Sequence, residues 1–383
     1  MTQAAKLFTD SELIGFSQSV GGLVFATYRF PAMDAAESLK IADQIASGQT
    51  LGFVPDDKSE YKNFLARVVS IESKDSVAEA TIAFPSALFG TDMAGLLTVV
   101  FGKISFSNGI MLTDLSADAR YLAKIFGSRF GLQGIRKLVS GANDKPMLMA
   151  ILKPGIGHDD VKLAKQYAEL VEAGVQIVKD DEVRIDLSLD DAKKRLGHVL
   201  ERGRSKGLYV MALNGPAFEL KQRAVALQAE GAQAFLVCPF TYGLSVLQSL
   251  CQDEDISVPI FAHPAFTGAM YSNGHGIDYS VSLGVLMRWC GADAVLYPSP
   301  YGSIALPREK ALKIHHHLLE SQSNLKVCAS VPSAGIVPAF VQKIRDDFGG
   351  DVVINAGTGI AKSEASISLG VKKFIDAIDA AFI

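Results

Sequence analysis

Lys179-Asp180-Asp181-Glu182 is the segment of this sequence best equipped for chemistry. Three successive carboxylates directly after a short apolar run offer the hard oxygen donors that Mg²⁺ takes. The lysine beside them is unexpected, because an ammonium repels a cation. It fits if its amine carries CO₂ as a carbamate, which replaces the positive charge with an anionic oxygen donor. A run of mixed charge is otherwise an ordinary solvated loop, and position decides between the two.

Other polar clusters also follow apolar runs: Lys153-Pro154-Gly155, Asn214-Gly215, His263-Pro264, Pro298-Ser299-Pro300-Tyr301-Gly302, Ser333-Ala334-Gly335 and Asn355-Ala356-Gly357-Thr358-Gly359. The last two are glycine-rich turns leading into helices, so their backbone N–H groups suit one phosphate, although glycine alone also serves simple loop economy. His263 could be a satisfied core histidine, but its place after an apolar run favours a site role. His315-His316-His317 falls within a helical pattern, where consecutive residues face different ways, so no shared metal site is expected there.

The elements that would hold these residues change character along the chain. Up to about residue 141, runs at 20–30, 63–71, 77–84 and 110–115 read as strands and 35–46 as a helix. A further apolar run, 96–104, places Lys103 where a strand would end. This is an α+β pattern. From Pro146 onward, apolar runs at 148–152, 175–178, 208–213, 234–237, 259–262, 294–297, 325–329 and 352–354 alternate with helical patterns at 161–172, 190–204, 217–230, 244–251, 279–290, 308–319, 338–348 and 365–381. About eight strand–helix units close a (β/α)₈ barrel, whose chemistry sits at the C-terminal ends of its strands. An open doubly wound sheet is the alternative, weakened by the lack of GxGxxG after the first strand. The expected architecture is therefore α/β: an α+β domain over 1–141 and a C-terminal (β/α)₈ TIM barrel over 142–383.

Bulk properties exclude several classes. A chain of 383 residues is longer than one ordinary domain, and its 49% hydrophobic content allows a sizeable core. The net charge of −4 argues against a nucleic-acid binder. No apolar run is long enough to cross a bilayer, and acidic residues precede any apolar stretch at the N-terminus, so no signal peptide is expected. Cys238, Cys251, Cys290 and Cys328 form no CxxC pair and read as reduced thiols of a cytoplasmic protein.

Lys153, Lys179-Asp180-Asp181-Glu182, His263, Ser333-Ala334-Gly335 and Asn355-Ala356-Gly357 together resemble the RuBisCO large-chain superfamily over nearly the whole chain. The resemblance implies an N-terminal α+β domain, a barrel, and one Mg²⁺ per subunit held by a carbamylated Lys179 with Asp181 and Glu182. It also implies a homodimer in which one copy's N-terminal domain covers the partner's barrel. The sequence departs from the carboxylases, however. Pro264 stands where they carry a phosphate-gripping arginine, and Tyr297-Pro298-Ser299-Pro300-Tyr301-Gly302-Ser303 lacks their lysine.

Phe101-Gly102-Lys103-Ile104-Ser105, Ala262-His263-Pro264-Ala265-Phe266 and Val331-Pro332-Ser333-Ala334-Gly335-Ile336 are instead similar to the non-carboxylating, RuBisCO-like branch. That likeness implies Mg²⁺-dependent enolisation of a small phosphorylated keto substrate, a diketone of methionine salvage, with no ribulose bisphosphate carboxylation. Lys103 would be the general base, acting as the neutral amine. Lys153 and His263 would orient the oxygens, and Ser333, Gly335, Gly357 and Thr358 would hold the phosphate. Isomerisation, decarboxylation of a 3-oxo sugar acid, or a non-catalytic scaffold are the alternatives. No membrane or nucleic-acid partner is expected.

Overall fold

The computed structural model describes residues 3–53, 56–57, 59–139, 144–203, 207–272, 274–322, 324–361 and 366–382, and for residues 3, 4, 358 and 361 the backbone only. The expected domain boundary at 141/142 lies outside the described residues. By packing, the chain forms two units. One comprises Met1–Phe126, Phe266–Trp289 and Ser321–Leu325; the other comprises Gly127–Ala265, Cys290–Glu320 and Lys326–Ile383.

The first unit is built on a mixed sheet. Its strands run in the order Gln3–Lys6, Arg67–Lys74, Val77–Pro85, Leu23–Pro31, Met111–Ala117, His275–Ile277, Tyr271–Ser272. Leu23–Pro31 is central, and Val24, Ala26, Tyr28 and Phe30 alternate onto a buried face. The helix Ala35–Thr50 starts at Asp34, whose carboxylate accepts the Glu37 N–H at 2.8 Å.

Two features differ from the sequence reading. Asp10–Val20 is a helix with a reciprocal capping box between Thr9 and Glu12, a signal present in the sequence and overlooked. The run 96–104 is not a strand: it folds as the helix Met93–Leu97, continued by wider turns over Thr98–Gly102 and a 3₁₀ turn over Lys103–Phe106. The period of burial explains this, since Met93, Leu96 and Val100 are the fully buried positions, spaced as on a helix. Asp92 opens it by accepting the N–H groups of Ala94 and Gly95.

The second unit is the barrel. Eight parallel strands, Met147–Ile151, Ile177–Lys179, Leu208–Ala212, Ala234–Val237, Ile260–Ala262, Ala294–Pro298, Ala329–Ser333 and Val353–Asn355, pair in sequence order, and the eighth pairs with the first. A bridge between Ser330 and Val352 joins seventh to eighth and completes the ring. The seventh strand begins at the end of the run read as strand, 325–329. Pro332, which has no N–H to give, lies inside it opposite Tyr297 and disguises it as a turn.

The interior is packed by alternate residues: Met147 and Met149, Leu208 and Val210, Ala234 and Leu236, Ala294 and Leu296, Ala329 and Val331, with Ile177, Phe261 and Val353. Leu132, Ile135 and Val139, from the helix Gly131–Leu138 and its end, join the same core. Asp293, just before the sixth strand, accepts the Phe130, Gly131 and Ile260 N–H groups at 2.6, 2.9 and 3.0 Å, so that helix is tied to the barrel. Among the described residues no helix is long and apolar enough to cross a membrane, and all four cysteines are free thiols.

Candidate active site

The alternation that fills the barrel also selects the site. Side chains two residues apart on a strand share a face, so one step beyond the apolar interior the inward positions are Lys179, Cys238, His263, Ser333 and Asn355, beside Ile151, Ala212 and Pro298. An apolar barrel thus ends in a ring containing an amine, an imidazole, a thiol, a hydroxyl and a carboxamide. Lys179, His263 and Ser333 were expected there; Asn355 was named at its strand end without a role, and Cys238, which follows from the same two-residue step, was missed as a site residue.

Lys179 is completely buried. Its Nζ donates to the Asp180 carbonyl at 2.8 Å and lies 3.5 Å from Glu182 Oε2. Burial lowers the basicity of this amine, and the charges of Glu182, Asp181 and Asp180 only partly restore it. Burial would raise the Glu182 pKa, but Lys179, a backbone hydrogen bond and Lys153 together outweigh it, so the side chain is held below its ordinary value and is a carboxylate.

His263 Nδ1 accepts the Ala265 N–H at 3.2 Å, which leaves its proton on Nε2, 3.2 Å from Glu182 Oε2. Burial, reinforced by the neighbouring Lys179 charge, pushes the His263 pKa far down, so the ring is a neutral donor to that carboxylate. Cys238 is pushed up to about 11 by burial and by the Glu182 charge, and is a thiol rather than a thiolate.

Asp181, buried to 3% exposure, takes an ion pair from Lys153 Nζ and accepts the Val183 N–H at 3.2 Å. Lys153 itself is fixed by Gln166, which donates to its carbonyl at 2.7 Å. Gly155, in the turn after the first strand, lies against Asp181: a Cβ there would stand 2.6 Å from the Asp181 Cβ. Asp180 points the other way and is consumed by protein partners, accepting from Tyr209 Oη at 2.7 Å and from the Ala212 N–H at 2.8 Å, with Arg195 paired to the same carboxylate. Of the three consecutive carboxylates, only Asp181 and Glu182 remain for a ligand.

Those two and Lys179 fit Mg²⁺. Among the described residues no group of three or more His, Cys, Asp and Glu stands at ligand spacing, so an oxygen on Lys179 would add a third protein donor beside the two carboxylates. A buried amine of lowered basicity is the form that adds CO₂.

In the glycine-rich turns, Asn355 Nδ2 donates to Ser333 Oγ at 2.9 Å, and that hydroxyl donates to the Val331 carbonyl. Ala334 and Gly335 have φ of +70° and +83°, and the Ser303 N–H reaches the Ala334 carbonyl at 3.2 Å, tying the strand-six loop to this turn. Gly357 opens the short helix Gly357–Ala361 against Ile151; the Thr358 side chain lies outside the described residues. Lys103, in the other unit, is exposed, with its Nζ 3.5 Å from the Gly52 carbonyl.

No protein-family model matches the chain. It is 39% identical over 375 residues to the 2,3-diketo-5-methylthiopentyl-1-phosphate enolase of Bacillus velezensis, covering 93% of this chain and 92% of that protein. To the enzyme of the same name from Exiguobacterium sibiricum it is 39% identical over 370 residues, covering 94% and 92%. Among solved structures it resembles a rubisco-like protein (MtnW) from Alicyclobacillus acidocaldarius, with TM-score 0.84, 36% identity and 94% of each chain covered. It also resembles the octameric ribulose-1,5-bisphosphate carboxylase/oxygenase of Pyrococcus horikoshii, with TM-score 0.82, 26% identity and coverage of 94% of this chain and 88% of that one.

Proposed function

The chain belongs to the family of RuBisCO-like 2,3-diketo-5-methylthiopentyl-1-phosphate enolases, and from that premise we propose that it tautomerises this phosphorylated diketone in methionine salvage. The observation that carries the reading is the buried Lys179 amine beside Glu182, with neutral His263 donating to the same carboxylate. Carbamylated Lys179, Asp181 and Glu182 would hold the cation. When bound, Mg²⁺ supplies Lewis-acid polarisation of the two adjacent carbonyl oxygens.

The chain's own groups do the rest. Lys103 takes the C1 proton; the C–H electron pair becomes the C1=C2 bond. The C2 oxygen receives the negative charge and is protonated from solvent to give the enol. Lys153, whose ammonium now rests on Asp181, and the His263 Nε2–H orient the substrate oxygens. Ser333, Gly335, Gly357 and Thr358 hold the single phosphate, for which the Gly-rich turns are the support.

A homodimer is part of this reading, because the family likeness assigns the covering N-terminal domain to a second copy. Four free thiols suit the reducing cytoplasm, where we place the protein. The test is exchange of the C1 proton with deuterated solvent, alongside enol formation followed by ultraviolet absorbance, with Mg²⁺ and bicarbonate present. Wild type should exchange and enolise. Lys103→Ala should lose about 10²–10⁴-fold in turnover, the usual contribution of a general base, with substrate affinity little changed. Wild type that leaves this diketone untouched overturns the substrate, and Lys103→Ala that exchanges at the wild-type rate removes Lys103 as the base.

A further inference from the structure

Arg195 lies on the helix Leu189–Gly203, outside the strand ends, yet it is completely buried. Its guanidinium joins two carboxylates, Asp180 and Asp186, that lie on either side of Asp181 and Glu182. Nη1 pairs with Asp180 Oδ2, while Nε and Nη2 reach Asp186 Oδ1 and Oδ2 at 3.0 and 2.5 Å. Asp180 is also held by Tyr209 Oη and the Ala212 N–H. Asp186 is fixed through its own N–H, which donates to Asn214 Oδ1 at 3.0 Å. Both ends of the five-residue stretch Asp181 to Ile185 are thus tied to one arginine, while within it Lys153 pairs with Asp181 and Arg184 with Asp160. Desolvation alone would lower the Arg195 pKa, but Asp180, Tyr209 and Asp186 raise it well above normal, so the guanidinium stays charged.

Strand alternation gives this clamp its consequence. With Asp180 drawn outward to Arg195 and Tyr209, its neighbour Lys179 faces into the barrel mouth. A rotation of this segment that released Asp180 would turn Lys179 away as well.

We propose that Arg195, assisted by Tyr209, is the positioning residue that presents Lys179, Asp181 and Glu182 as one cation site. The inference rests on the reading that those three residues bind Mg²⁺. Arg195 touches neither substrate nor cation; it acts by fixing the backbone that carries the donors. Groups that orient metal ligands are commonly worth about 10–100-fold in metal affinity.

The experiment measures Mn²⁺ binding by electron paramagnetic resonance, Mn²⁺ serving as the probe for Mg²⁺, with ¹³C-bicarbonate present to report the lysine carbamate by NMR. Wild type, Arg195→Met, Tyr209→Phe and Asp293→Asn are compared, each with its thermal melt. Asp293 sits just before the sixth strand, at the opposite end from the C-terminal strand ends, and serves as a variant that loses stability without touching the site. Arg195→Met should bind Mn²⁺ about 10–100-fold more weakly and lose the carbamate signal. Tyr209→Phe, which removes one hydrogen bond and keeps the ring, should stay folded and weaken binding measurably. Asp293→Asn should melt earlier and bind as wild type does.

Wild-type affinity in folded Arg195→Met overturns the proposal, and if that variant does not fold, wild-type affinity in Tyr209→Phe overturns it instead. Weaker binding in Asp293→Asn overturns it too, because the effect would then follow stability rather than position. Wild type that binds no Mn²⁺ in bicarbonate overturns the metal reading itself, which separates that failure from this one.

Discussion

Gly155→Ala is the smallest change that should disable the proposed cation site. No left-handed φ is involved at Gly155, so alanine meets no backbone penalty there. Its added Cβ would lie 2.6 Å from both Cβ and Cγ of Asp181 and 2.9 Å from Oδ2, where ordinary contact begins at 3.4 Å. The shortfall is of order 1 Å, and a misplacement of about 1 Å in a catalytic constellation costs on the order of 10²-fold. Asp181 cannot escape by rotating, because its own Cβ is one of the atoms struck and its carboxylate is held by Lys153 and the Val183 N–H. The segment must therefore move as backbone.

Enol formation followed by ultraviolet absorbance should show kcat/KM lowered by about 10²-fold, with more Mg²⁺ needed for half-maximal rate. Overpacking of this size costs about 1–3 kcal/mol, so the protein should remain folded. Gly197→Ala is the control: beyond its own helix backbone, nothing lies within 4 Å of its added Cβ, and it sits inside the helix Leu189–Gly203, where alanine is preferred. A Gly155→Ala enzyme as active as wild type at limiting Mg²⁺ would refute the placement of Asp181 in the cation site.

Three further outcomes are expected. Lys179→Ala should remove both the ¹³C carbamate signal and the activation by Mg²⁺ and bicarbonate; full activity after exhaustive removal of CO₂ would dismiss the carbamate. Ribulose bisphosphate should not be carboxylated, since Pro264 and the lysine-free loop ending at Ser303 leave no groups for the second phosphate and the CO₂ adduct; labelled phosphoglycerate formed from labelled bicarbonate, above a no-enzyme control, contradicts this. His315 is lowered from 6.5 to about 4, by burial first, with Asp351 opposing and His316 assisting. Its folded pKa lies below its unfolded one, so its contribution is fully present above pH ~6.5 and lost as pH falls towards ~4, at most about 3 kcal/mol. Melting temperature should rise with pH across that window, and His315→Gln should flatten the slope; an unchanged slope would remove His315 as its source.

The barrel was legible because its strands are short apolar runs between amphipathic helices, and because polar residues collect where those runs stop. The same two-residue period that makes Met147 and Met149 interior places Lys179, His263 and Ser333 at the mouth, so the sequence pattern predicts which polar side chains line it. It misread the run 96–104, where apolar residues at helical spacing were taken as a strand, and it misplaced the seventh strand, where Pro332 hides the ladder.

The family resemblance singled out Asp181 and Glu182, but only the tertiary structure shows what holds Asp180 away from them. Asp180, Asp181 and Glu182 are chemically alike and consecutive, and their composition does not name the partners that each one meets. The answer lies in Arg195 and Tyr209, 15 and 29 residues from Asp180, neither of which stands out in the sequence. Local pattern encodes which face a residue takes, through backbone periodicity. Partnership between buried charges depends on which distant groups the closed barrel brings within hydrogen-bond reach, and no periodicity records that.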